Sequence, residues 1–197
     1  ANDLWPNMEG IMCLQSYYDY SHDQRVLDFM SKYFRYELNI PDEQFLPGSW
    51  QKLRGGENLE SVYWLYNRTG ESWLLELAKK IYRQTADWTS PILTTERDRL
   101  WEESSFYHGV NIAMGLKYPA LYYQQTGEKQ LLEAVERNYQ QLMTAYGQQP
   151  GGMFAADENI RPGYNDPRQG AETCTMVEMM FTWETLLKIT GETIAAD

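Results

Sequence analysis

The tripeptide Thr-Gly-Glu occurs three times, at positions 69–71, 126–128 and 190–192. Each copy follows an aromatic or leucine-rich helical pattern. Glycine suits the left-handed position just past a helix, and the acid suits the first turn of the next one. A fourth turn, Tyr20-Ser21-His22-Asp23, stands at the matching place nearer the N-terminus. Punctuation of this kind predicts a series of helical hairpins with long loops between them.

Between the turns, apolar residues recur at spacings of three and four, which predicts helices over 3–20, 22–38, 56–68, 71–88, 108–125, 128–146 and 171–189. No period-2 pattern argues for a strand. The patterns at 3–20, 108–125 and 171–189, each before a turn, are apolar on more than one face. Those after a turn have a polar side, most clearly 128–146 with Glu133, Glu136, Arg137 and Gln140. The alternation predicts inner and outer helices. The connections 39–55, 89–107 and 147–170 are long, and each leads from a polar-sided helix to an apolar one. They are expected at one end of the bundle, with the tight turns at the other, and function belongs with the long loops. The expected fold is all-α: antiparallel helical hairpins forming about half of an (α/α)6 toroid. Residues 1–197 read as a single helical segment, an incomplete domain of a larger protein. An open α-solenoid, complete as it stands, is the alternative.

The stretch 151–178, GGMFAADENIRPGYNDPRQGAETCTMVE, is the densest in turn residues. It predicts a structured loop that enters a helix. Asp157, Glu158, Glu172 and Cys174 lie on it, and a plain connection needs none of them. Residues two apart on a regular helix point about 200° away from each other. Glu172 and Cys174 can therefore share one ion only if the first turn is distorted or not yet helical. The bland reading is a helix-start glutamate and a core cysteine.

The combination GGMFAADEN, then GAETC, then a helix resembles the β-L-arabinofuranosidases of glycoside hydrolase family 127. The resemblance implies that Glu158 is the general acid/base of a retaining glycosidase. It implies Glu172 and Cys174 as zinc ligands, completed by two later cysteines, one of them the nucleophile. The sequence to Asp197 holds no such later pair. Zinc is thus expected in the intact parent protein and absent or weak in this segment, which alone should be inactive. The family places a histidine near Glu57 and Asn58; none stands there, which leaves the particular sugar open.

Four further residues are candidate substrate contacts. His108 opens an inner helix at the long-loop end, where a neutral imidazole can hydrogen-bond a sugar hydroxyl; a capping or core histidine is the equal alternative. Glu57 starts another inner helix after Gly55-Gly56. Trp101, like Trp50, lies in a long loop where an indole can stack on a sugar face or serve as hydrophobic cover. Tyr164 lies in the acid-bearing loop.

Composition narrows the partners. A formal charge of −11 and a pI of about 4.7 leave no basic stripe for nucleic acid. No apolar run reaches the roughly 18–20 residues of a membrane span. The expected partners are a carbohydrate and either the remainder of the barrel or a second copy held by exposed apolar surface. Other readings stay open: a helical-repeat module that binds a protein or glycan without chemistry, or another (α/α)6 carbohydrate-active enzyme. With two cysteines, Cys13 and Cys174, the compartment is open between cytoplasm and periplasm.

Overall fold

The structure, a computed structural model, describes residues 3–93, 105–147, 151–161 and 170–193. Among these residues the regular structure is entirely helical, and the sole extended pairings are isolated bridges. No helix of the described residues is long and apolar enough to cross a membrane. The chain forms two compact units, Ala1–Ala86 and Asp87–Asp197.

The first unit holds α1 (Trp5–Ser21), α2 (Gln24–Asn39), the short α3 (Ser49–Arg54), α4 (Asn58–Thr69) and α5 (Trp73–Gln84). Helices α1 and α4 run parallel: Gln15 donates to the Ser61 hydroxyl, and Arg68 reaches Asp19 at 2.8 Å. Helices α2 and α5 are parallel too, with the Arg35 guanidinium over the Trp73 ring at 4.1 Å and Lys80 bonded to the Leu38 carbonyl at 3.0 Å. The two tight turns therefore share one end of this unit, and the 40–57 connection occupies the other.

The second unit repeats the plan with α6 (Gly109–Gly115), α7 (Tyr118–Thr126), α8 (Lys129–Tyr146) and α9 (Thr173–Thr190). Gly109 abuts Thr175, Thr182 donates to the Ala113 carbonyl at 2.7 Å, and Ala120 packs with Leu186 and Val135. The α6–α7 pair and α9 thus run side by side in the same direction, while α8 returns antiparallel against α7. Their N-termini, at His108 and Glu172, lie at one end.

All three Thr-Gly-Glu turns share one geometry. Gly70, Gly127 and Gly191 have φ of 68°, 70° and 72°, and each glycine N–H closes onto the carbonyl four residues back. In each, the threonine hydroxyl accepts from the glutamate N–H, at 3.1–3.4 Å. The acid stands just before the next helix rather than inside its first turn: α5 starts at Trp73, and Glu128 is the residue that precedes α8. In the first unit Glu71 instead pairs with Arg35 of α2 at 2.9 Å.

Two predicted helices are corrected. The 108–125 pattern is two helices, broken at Leu116-Lys117. Pro119 has no N–H to give the Gly115 carbonyl, so the ladder cannot run through. The 71–88 pattern ends at Gln84, and Thr85 is extended at ψ 153°. Trp88 belongs to the second unit, where its ring stacks on Phe106 at 4.4 Å and presses on Gly115.

Candidate active site

Three short backbone segments build the site end of the second unit. The Gly109 N–H donates to the Glu158 carbonyl at 2.7 Å, and the Ile160 N–H donates to that of Tyr107 at 3.0 Å, which sets His108 opposite Asn159. On the other side, the Glu172 N–H donates to the Ala156 carbonyl at 2.8 Å, pairing Ala156 with Ala171. Residues 155–160 are therefore clamped between the entrances to α6 and α9. Sequence alone placed His108, Glu158 and Glu172 at one end; within this unit they are held together by main-chain hydrogen bonds.

The local sequence explains the clamp. Gly151 and Gly152 both have positive φ, 77° and 71°, a pair of left-handed residues that favours glycine, and Tyr139 fixes the bend by donating to the Gly152 carbonyl at 3.1 Å. Phe154, Ala155, Ala156 and Ile160 are buried, which anchors the loop from beneath. Asp157 and Glu158 then fall on the exposed side, and Asp157 pairs with Arg161. Gly109 permits the close approach: a Cβ there would lie 2.7 Å from both the Ala156 Cβ and the Thr175 Oγ1.

Glu172 precedes α9 with extended backbone, φ −63° and ψ 136°. Its side-chain direction is therefore not set by the helix, and the angular objection to sharing an ion with Cys174 does not hold. One Glu172 carboxylate oxygen, Oε2, is buried with no hydrogen-bond partner among the described residues. Cys174 is exposed on the first turn of α9 rather than packed in a core. Helix α9 buries Thr175, Met179, Thr182 and Leu186 and leaves Met176, Val177 and Met180 at 40, 57 and 70 % exposure. Carboxylate and thiolate both suit zinc, which ordinarily takes four ligands. Among the described residues no group of three or more His, Cys, Asp or Glu is placed to hold a metal. The donors fit zinc in kind, and together they would fill at most two of its four positions.

With this end of the unit in place, the sequence matches the family model of the β-L-arabinofuranosidase GH127 catalytic domain over residues 2–197. The chain belongs to glycoside hydrolase family 127. No curated protein and no solved structure matches it.

The other candidates of this family 127 chain are distributed differently. Trp101 and Tyr164 lie outside the described residues. Glu57 is in the first unit, 2 % exposed, in a 3-10 turn ahead of α4. Trp50, also in the first unit, carries the Arg54 guanidinium on its ring at 3.8 Å, so that face is already covered.

Sequence reasoning missed Glu37. It continues the buried stripe of α2 formed by Val26, Met30 and Phe34, and is itself fully buried. Asn58 donates to its Oε2 at 2.7 Å. Burial pushes its carboxyl up to about 7, against the opposing pull of the Tyr33 and Asn58 hydrogen bonds and the Lys80 charge. The signal was an acid three residues beyond Phe34, on a face otherwise apolar.

The consequence is a pH-dependent fold. An unfolded Glu37 releases its proton near 4.5, whereas the folded one keeps it to about 7. The contribution of Glu37 to stability is fully present below the lower value, is lost as pH rises between the two, and stays lost above the upper, about 3 kcal/mol in all. In thermal melts from pH 4.5 to 8, wild type should lose several degrees relative to Glu37→Gln across this window. Parallel curves for the two proteins would contradict this assignment.

Proposed function

We propose that this chain supplies the acid/base and two metal ligands of a retaining glycosidase that removes a terminal β-L-arabinofuranosyl-type sugar. Support comes from family membership and from one structural observation: the loop bearing Glu158 is clamped by main-chain bonds between His108-Gly109 and Ala171-Glu172.

Glu158 would protonate the glycosidic oxygen as the bond to the anomeric carbon breaks. It would then take a proton from the water that releases the sugar, the double role of a retaining enzyme's acid/base. Among the described residues Glu158 is held through its backbone carbonyl, and the loop sets where its carboxyl lies. His108, one bridge away, would hydrogen-bond a sugar hydroxyl. Glu172 and Cys174 would hold zinc; when bound, the ion supplies the positive charge that keeps a thiol ionised. The attacking group is not assigned to a residue of this chain. The exposed Met176, Val177 and Met180 suit burial against the remainder of a barrel or a second copy.

The test is hydrolysis of β-L-arabinofuranosides by the gene's full-length product, with product configuration read by NMR. Release of the β-anomer first is expected. Release of the α-anomer, or no hydrolysis of any arabinofuranoside, would overturn the reading.

A further inference from the structure

A second feature of the first unit plays no part in the chemistry above. Phe29, Tyr33 and Tyr36 lie at i, i+4 and i+7 of α2, so they share one face. The Phe29 and Tyr33 rings are nearly parallel, 6.5 Å apart at 10°, and Tyr36 follows at 6.4 Å from Tyr33. Phe29 and Tyr36 are half exposed, at 53 and 48 %. The strip runs into a groove of about 510 Å3 lined by Tyr36, Asn39, Glu43, Gln44 and three apolar residues of the same loop. That volume lies within the range of small-ligand sites.

The groove wall is held rigidly. Leu46 is buried with φ at 51°, a left-handed conformation that costs a leucine about 1–2 kcal/mol. It fits because Gly55 has no Cβ, which would lie 2.3 Å from the Leu46 Cδ1. Lys80 bonds the Leu38 and Ile40 carbonyls, Arg83 pairs with Asp42, and Pro41 and Pro47 fix φ at either end of the wall. Packing alone does not call for a strained, cross-braced loop beside exposed tyrosine. Strain of this kind gathers at binding surfaces.

We infer that this strip and groove form a carbohydrate-binding subsite for a neutral oligosaccharide, separate from the residues that would carry the hydrolysis. A sugar's C–H face packs on an aromatic ring while its hydroxyls seek polar partners. Tyr36 offers the ring. Gln44 offers donor and acceptor, Glu43 an acceptor, and Asn39 its Oδ1 and one N–H, the other N–H donating to the Arg35 carbonyl at 2.7 Å. Glu43 at the groove and a net charge of −11 select against an anionic glycan. The subsite draws only on membership of a glycosidase family, and uses neither Glu158 nor Cys174.

The experiment is calorimetric and NMR titration of the 197-residue chain with arabino- and xylo-tetraose, with tetragalacturonate as the anionic control. Saturable binding of a neutral tetraose is expected. Tyr36→Ala and Gln44→Ala should each weaken it at least fivefold while melting within a few degrees of wild type. Glu158→Gln and Cys174→Ser should bind as wild type does, so failure of the catalytic reading would leave this result standing. No saturable binding, equal binding of tetragalacturonate, or unchanged affinity in both groove variants overturns the inference. So does a dimer that Tyr36→Ala dissociates, which would make a second copy the occupant.

Discussion

Glu158→Gln is expected to lower turnover of the full-length gene product by about 10²–10⁴-fold, the usual contribution of a positioned proton donor. The fold should be unchanged. Glu158 is anchored through its carbonyl to the Gly109 N–H, a bond that glutamine keeps, and its side chain is exposed. The loss should be largest for alkyl glycosides, whose leaving oxygen needs a proton, and smallest for nitrophenyl glycosides, whose leaving group does not. Equal losses on both, or none, would remove Glu158 from the acid/base role and leave it an exposed loop residue.

Gly109→Ala is expected to do comparable harm without touching a functional group. The added methyl would sit 2.7 Å from Ala156 on the loop and 2.7 Å from Thr175 on α9, and neither neighbour is the far end of a flexible chain. Overpacking of this kind costs about 1–3 kcal/mol. Relief requires the loop to move away from α6, which lengthens the Gly109–Glu158 bond and shifts the acid. A displacement near 1 Å can cost about 10²-fold in rate. A lowered melting temperature together with a turnover loss of that size is expected. Wild-type values for both would show that the clamp does not position Glu158.

Much of this was legible in the sequence because its signals are local. Thr-Gly-Glu marks a helix end through the left-handed glycine, and all three copies fold alike. The pairing of Gly151-Gly152 with a loop, and of Glu172 with a helix entrance, follows from backbone preferences of adjacent residues. What escaped depends on distant neighbours. Pro119 is the local exception: its missing N–H, owed to the Gly115 carbonyl four residues back, breaks the continuous apolar pattern of 108–125 into α6 and α7. Glu37 is polar by composition, but the stripe it completes buries it against Asn58, twenty-one residues away. Cys174 lies in an apolar run that suggests a core, yet α9 packs on α6 through Thr175 and Thr182, and Cys174 is left exposed. The two segments that clamp the Glu158 loop, at 107–109 and 171–172, are far apart in sequence, and no local pattern announces their pairing with it.

Most of the proposed chemistry depends on Glu172 and Cys174 acting as a metal-binding pair beside the acid loop. Its most direct test is zinc content and turnover of the full-length gene product, measured together for wild type, Cys174→Ser and Glu158→Gln. Wild type should hold zinc, and chelation should abolish its activity. Cys174→Ser should lose metal and turnover together, while Glu158→Gln should keep the metal and lose turnover alone. A wild-type protein that is active without metal, or a Cys174→Ser variant with full activity, would contradict the account and return Cys174 to an ordinary exposed side chain on α9.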